Sequence, residues 1–256
     1  MTLTVNMFLI VCPLAFLAGF LDSIAGGGGM ITLPAYYLAG LPPALAAGTN
    51  KMSASMGTVI ATFNYARAGK ISYRIGIPAV IGALVCGTLG ALVLTALPPN
   101  VVRILVLCCI PIAVAFTLRK PKQREKRAIG ERTLLLLSVL VGCAMGFYDG
   151  LIGPGTGTFL ILLFLQVFQL EAVEASGTAK IVNLAGNVAA LFSFLFTGNV
   201  LVWLGIPAGL FTMVGAFLGS RLTIQKGSKL IRVMMLVVLG LLLVKILLDI
   251  VLPSAG

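Results

Sequence analysis

Apolar runs of membrane length follow one another along the chain with short polar breaks between them. They cover residues 44–66, 75–97, 103–118, 176–197, 203–220 and 230–252. Most approach the ~20 residues a helix needs to cross a hydrocarbon core. Basic residues fill three of the connections: Arg67, Lys70 and Arg74 in 67–74; Arg119 to Arg132 in 119–132; Arg221, Lys226, Lys229 and Arg232 in 221–232. The connections 98–102 and 198–202 carry no charge. Lys and Arg collect in cytoplasmic loops, so the three basic connections are expected inside and the two neutral ones outside.

Two Gly-rich breaks interrupt this pattern in matching places. The first reads Gly19-Phe20-Leu21-Asp22-Ser23-Ile24-Ala25-Gly26-Gly27-Gly28-Gly29. The second reads Gly146-Phe147-Tyr148-Asp149-Gly150-Leu151-Ile152-Gly153-Pro154-Gly155-Thr156-Gly157. Each lies between apolar runs, with an acid four residues before a Gly. Helix-breaking sequence at membrane depth exposes backbone groups that hydrocarbon cannot satisfy, so it lines a cavity or is buried in protein. A pair of such breaks in corresponding halves points to a transporter binding site.

The halves align beyond the breaks. Gly48-Thr49-Asn50-Lys51 matches Gly177-Thr178-Ala179-Lys180, and Ile75-Gly76-Ile77-Pro78-Ala79 matches Leu204-Gly205-Ile206-Pro207-Ala208. Leu89-Gly90 matches Leu218-Gly219, and Arg103 matches Arg232. The offset is 127 at the breaks and 129 afterwards. Two copies make a duplication within a membrane fold, not a solenoid. The expected organisation is a first repeat over 1–118, a basic cytoplasmic linker over 119–132 and a second repeat over 133–256.

Crossing parity constrains the breaks. Between an inside segment at 132 and an outside segment at 198 the number of crossings is odd, and the run 176–197 supplies one. The runs flanking the second break then supply zero or two. Phe159 to Phe168 covers only about 15 Å at a helical rise of ~1.5 Å per residue, half a bilayer. Zero fits this length: a re-entrant hairpin dips to the midplane, turns at its Gly-rich tip and returns. Two full spans per hairpin region satisfy the same count, and the run Leu3 to Leu21 is long enough to span alone. The expected fold is therefore an all-α polytopic membrane protein of two inverted repeats. Each has a Gly-rich re-entrant or broken helical hairpin plus about three spanning helices.

Composition agrees. The apolar fraction is 59% and charged residues are 10%, with a mean hydropathy of +1.12. The net charge of +11 follows from topology and implies no nucleic-acid partner. The chain has no His, which excludes imidazole metal sites and His bases. No nucleophile–base pair stands out, which argues against an enzyme. No cofactor or metal is expected. Cys12, Cys86, Cys108, Cys109 and Cys143 fall in apolar runs without a C-x-x-C pair and read as small buried hydrophobes.

Most charges lie in loops or near run ends; Asp22, Lys51, Asp149 and Lys180 lie inside, in two repeat-related pairs. Intramembrane ionisable residues are costly and are functional candidates. Lys51 lies eight residues past Pro43, about 12 Å deep if the helix starts there. Lys51, Ser55, Thr58 and Thr62 share one helical face, as do Lys180, Asn183 and Asn187. Two Lys, hydroxyls, amides and exposed Gly N–H groups converging at mid-membrane suit a small oxyanion. Each feature also has a plainer reading. Lys51 and Lys180 neutralise Asp149 and Asp22 in structural ion pairs; Asp22 and Asp149 cap the tip backbone; the Ser and Thr stripes join helices; the glycines serve close packing. The Gly26–Gly29 run lacks the Lys and Ser/Thr of a nucleotide loop.

These residues resemble the sulfite exporter TauE/SafE family of membrane permeases. The resemblance rests on the first break with the following Leu33-Pro34, on Gly48-Thr49-Asn50-Lys51, and on their second-half counterparts. It covers essentially the whole chain. Gly153-Pro154-Gly155-Thr156-Gly157 departs from an unbroken Gly run, and Ala179 stands opposite Asn50, so a shared site is only pseudo-symmetric. The resemblance implies transport of small sulfur-containing anions such as sulfite or organosulfonates, with export the usual direction, across a bacterial inner membrane. An importer or a channel for another small anion is the alternative. Lys51 and Lys180 are the expected charge complement. Thr49, Asn50, Thr178, Asn183 and Asn187, with Gly27, Gly28, Gly29, Gly153 and Gly155 at the tips, are the expected polar lining. Asp22 or Asp149 is a candidate carrier of a coupled proton.

Overall fold

A computed structural model describes residues 4–98 and 130–251. The run 103–118, the connection 99–102, the basic segment up to 129, Cys108 and Cys109 lie outside the described residues. Nine helices form among the described residues, and no strand. They are α1 (Val5–Ala25), α2 (Gly29–Leu38), α3 (Pro43–Arg67), α4 (Tyr73–Ala96), α5 (Glu131–Leu151), α6 (Thr156–Gln166), α7 (Ala172–Phe196), α8 (Val202–Lys226) and α9 (Ser228–Val251). By length and composition α1, α4, α5, α7 and α8 can each cross a membrane. Pro43 opens α3 at the first helical position, where its missing N–H has no partner to lose.

Both Gly-rich breaks interrupt helices. α1 ends at Ala25 and α2 begins at Gly29; Gly26 and Gly27 have φ of 77° and 94°. α5 ends at Leu151 and α6 begins at Thr156; Gly153 and Gly155 have φ of 85° and 87°. Each pair of helices is a hairpin with unequal arms. The first arms have 21 residues each, and the second arms have 10 and 11. Met7 and Val11 of α1 share one apolar cluster with Tyr36 of α2, the following Ala39, Ala46 of α3 and Leu204 of α8. The second arm therefore returns to the end where the first began. In the second half, Phe164 and Phe168 lie in a cluster with Ile75, Ala79 and Ala175, with Leu134 and Leu137 of α5 packed against it. That is the same arrangement at the start of α4 and α7.

The halves interlock reciprocally. α1 packs on α8 and α5 on α4, with small residues at both contacts. A methyl on Gly19 would overlap the Thr212 carbonyl, and one on repeat-related Gly146 would overlap Ala83. One on Gly219 would overlap the Phe20 carbonyl, and one on its counterpart Gly90 would overlap Phe147. Backbones this close need residues without side chains, the usual route to tight helix contact in a bilayer. α3 meets α7 with Lys51 against Asn187 and Tyr65 against Ser176, so these two repeat-related helices run antiparallel.

Basic residues gather at one end of this bundle. The ends of α3 and α8 are joined by Asn64 Nδ2 donating to Ser220 Oγ at 2.8 Å. The start of α4 reaches the start of α5 through an exposed Arg74–Glu131 pair at 3.4 Å. Cys12 is buried, Cys86 and Cys143 are half-buried, and all three are free thiols.

Gly142 of α5 faces the Ala79 carbonyl with no room for a methyl group, whereas Gly130 has open space and an ordinary φ of −58°. Gly142→Ala is expected to destabilise the protein by about 1–3 kcal/mol through overpacking, and Gly130→Ala to leave it unchanged. Thermal unfolding in detergent measures both.

Candidate functional site

The two hairpin tips meet inside the bundle. The last turn of α1 leaves carbonyls without helical partners, and other elements satisfy them. Thr158 Oγ1 donates to the Ala25 carbonyl at 2.8 Å, Ser176 Oγ to Ile24 at 3.0 Å, and Tyr65 Oη to Ser23 at 2.9 Å. Gly26 and Gly157 touch backbone to backbone; a methyl on either would overlap the other. The second tip is braced by Tyr148 Oη donating to the Pro154 carbonyl at 2.8 Å and Thr156 Oγ1 donating to Gly153 at 2.7 Å.

Each tip carries an acid that pairs with a Lys of the opposite half. Lys51 Nζ lies 2.7 Å from Asp149 Oδ2, and Lys180 Nζ lies 2.9 Å from Asp22 Oδ2. These are repeat-related pairs. Their surroundings differ. Asp22 Oδ1 also accepts the Gly28 N–H at 3.1 Å, so its charge is held by an ammonium and a backbone donor. The Lys51–Asp149 contact is short but not aligned as a hydrogen bond, and Asp149 Oδ2 makes none among the described residues. Lys51 Nζ instead donates to Asn187 Oδ1 at 3.0 Å, and Asn187 Nδ2 reaches Asn183 Oδ1 at 3.5 Å.

A cavity of about 40 Å³ lies between the tips. One water needs ~10–15 Å³ on the same measure, so the space suits a few waters or one small polyatomic ion. Of the residues expected from sequence, Lys51, Asn50, Asn183 and Asn187 line it, together with Asp22 and Asp149. Gly27, Gly28, Gly29, Gly153 and Gly155 line it as well. The Thr32 hydroxyl meets Asn50 Oδ1, which leaves Asn50 Nδ2 on the side of Gly29. Asn183 Nδ2 lies on the side of Gly157. Neither amide nitrogen has a hydrogen-bond acceptor among the described residues. The cavity thus presents unused N–H donors beside an ammonium.

Three expected lining residues sit elsewhere. Lys180 is fully buried against Asp22 and does not reach the cavity. Thr49 Oγ1 accepts the Leu201 N–H and Thr178 Oγ1 accepts the Ser72 N–H, each at 2.9 Å. Leu201 and Ser72 are the residues that open α8 and α4. These threonines fasten a helix start whose amide has no partner within its own helix. Among the polar lining residues, Thr32, Ser53 and Thr212 were not singled out from sequence. Thr32 was findable, since it follows Gly28 by one helical turn.

A family model described as Sulfite exporter TauE/SafE matches residues 11–246. The probable membrane transporter protein ORF9 of Sinorhizobium sp is 39% identical over 236 residues, covering 92% of this chain and 90% of its own. The probable membrane transporter protein YfcA of Escherichia coli K12 is 36% identical over 262 residues, covering 96% and 94%. A probable membrane transporter protein of Haemophilus influenzae is 30% identical, covering 97% and 98%. No solved structure matches.

Removing one partner of a buried ion pair strands the other, at a cost of about 3–5 kcal/mol. Lys51→Gln and Asp149→Asn are each expected to lower stability on that scale. The double variant should lose less than the sum of the two, by about 1–3 kcal/mol. Unfolding in detergent across the four proteins measures this coupling.

Proposed function

The chain belongs to the sulfite exporter TauE/SafE family and is a multi-pass membrane transporter, and on that premise we propose that it exports a small sulfur oxyanion. The substrate class is sulfite or a short organosulfonate, and the route runs across a bacterial inner membrane. One observation carries the reading: a cavity of about 40 Å³ where two Gly-rich tips meet, with Lys51 and free amide donors in its wall. A sulfur oxyanion presents several acceptor oxygens to converging N–H groups. Charge-assisted hydrogen bonds of this type are short and roughly twice as strong as neutral ones.

Charge balance suggests how binding is coupled. Two Lys and two Asp leave the region formally neutral, so a bound anion competes with Asp149 for Lys51. Protonation of Asp149 resolves that competition and leaves Lys51 for the substrate. One proton then moves with each substrate. Asp22 is held by Lys180 and Gly28 and serves as the fixed counterpart.

The reciprocal contacts support two inverted repeats that exchange access by rocking about the tips. The cavity extends along Gly57, Thr58, Thr212 and Ala216 toward the basic ends of α3 and α8. The positive-inside rule makes that the cytoplasmic direction. The corresponding flank of the other half runs along Ala83, Gly87 and Gly186. Opening that flank while closing the first completes a transport cycle.

Sulfite flux in proteoliposomes tests the proposal. Lys51→Gln is expected to lower flux about thirtyfold, from the ~2 kcal/mol of a hydrogen bond to a charged group. Asn183→Ala should raise the half-saturating sulfite concentration severalfold in a protein that still folds. Asp149→Asn should make flux insensitive to an imposed pH gradient. Wild-type flux in a folded Lys51→Gln protein would remove the site assignment.

A further inference from the structure

A second concavity lies on the outer surface between α3 and α8, away from the tips. Its volume is about 690 Å³, and Phe63, Asn64, Arg67, Phe217, Arg221 and Ile224 are among its walls. The groove is amphipathic along its length. Phe63 and Phe217 are exposed at 60% and 37%, so in a bilayer this wall faces acyl chains. Arg67 is the last residue of α3, and Arg221 lies one turn beyond Phe217, with its guanidinium 4.4 Å from that ring. Both charges therefore sit at the basic end of the bundle.

Helix packing does not require these two arginines. Among the described residues, no carboxylate lies within ion-pair distance of either. The repeat supplies an internal control. Arg67 corresponds to Phe196 and Arg221 to Leu92, exposed at 89% and 45%. The matching ends of α7 and α4 thus pack without a charge at these positions. A ring stacked under Arg221 fixes a planar donor fork beside an apolar channel. Such a fork matches phosphate geometry, and basic pockets at the cytoplasmic side of membrane helices recognise anionic headgroups.

We propose that the Arg67–Arg221 groove is a binding site for an anionic phospholipid, its phosphodiester between the two guanidiniums and an acyl chain along Phe63 and Phe217. The inference needs only that α3 and α8 lie in a bilayer and is independent of which anion the protein transports.

Native mass spectrometry of the full chain in detergent tests it, with phosphatidylglycerol and phosphatidylcholine as probes. Wild-type protein should retain phosphatidylglycerol at least tenfold better than phosphatidylcholine. The double variant Arg67→Gln/Arg221→Gln should lose that preference while melting normally without lipid. The control Arg132→Gln/Arg232→Gln removes the same charge from exposed positions outside the groove and should keep it. Equal retention of the two lipids by wild type, an unchanged preference in the groove variant, or an equal loss in the control would each overturn the proposal. Displacement of lipid by millimolar glycerol 3-phosphate would identify a soluble phosphate ligand and overturn the lipid assignment.

Discussion

An ammonium and a carboxylate buried in a membrane protein must find each other, because neither is tolerated alone in a low-dielectric interior. Among the described residues there are two such pairs, and each crosses from one half to the other. The crossing fixes the architecture. Asp149 reaches Lys51 only if the second hairpin penetrates between the helices of the first half, and Asp22 reaches Lys180 only if the first hairpin does the converse. The tips consequently overlap at the centre. Glycine is required there because Gly26 and Gly157 approach backbone to backbone.

The two pairs occupy matching positions in the sequence and differ in their surroundings. Asp22 receives a backbone N–H and a fully buried Lys180, which closes that pair. Lys51 and Asp149 stand at the cavity wall, next to amides whose counterparts across the repeat are Ala54 and Thr58 for Asn183 and Asn187, and Ala179 for Asn50. On the proposed reading the closed pair is a structural anchor and the open pair supplies a binding group.

Much of this was legible in the sequence because burial leaves few options for charge. Four intramembrane ionisable residues at repeat-related positions admit few pairings, and the cross-half pairing was among the plain readings. The hairpins were legible from length: an arm of 10 or 11 residues cannot span. Parity of crossings says nothing about arm length, so the unequal arms were not foreseen. The placement of Thr49 and Thr178 was missed for a simple reason. Each lies two residues before a Lys, about 200° around the helix at ~100° per residue, and so on the opposite face. Their neighbours in sequence suggested the site, while helical geometry turned them toward the starts of α8 and α4. Lys180 shares a face with Asn183 and Asn187, yet its position one turn away placed it behind Asp22. Periodicity assigns a face; it does not assign depth.

The central claim is that the space between the tips holds the transported anion. Selenite, a heavier analogue of sulfite, makes that claim directly visible. A structure determined with saturating selenite should show an anomalous-scattering peak within hydrogen-bond reach of Lys51 Nζ and the Asn183 amide nitrogen, between Gly28 and Gly155. An empty cavity at a concentration that competes with sulfite flux, or a peak elsewhere in the bundle, would contradict the account.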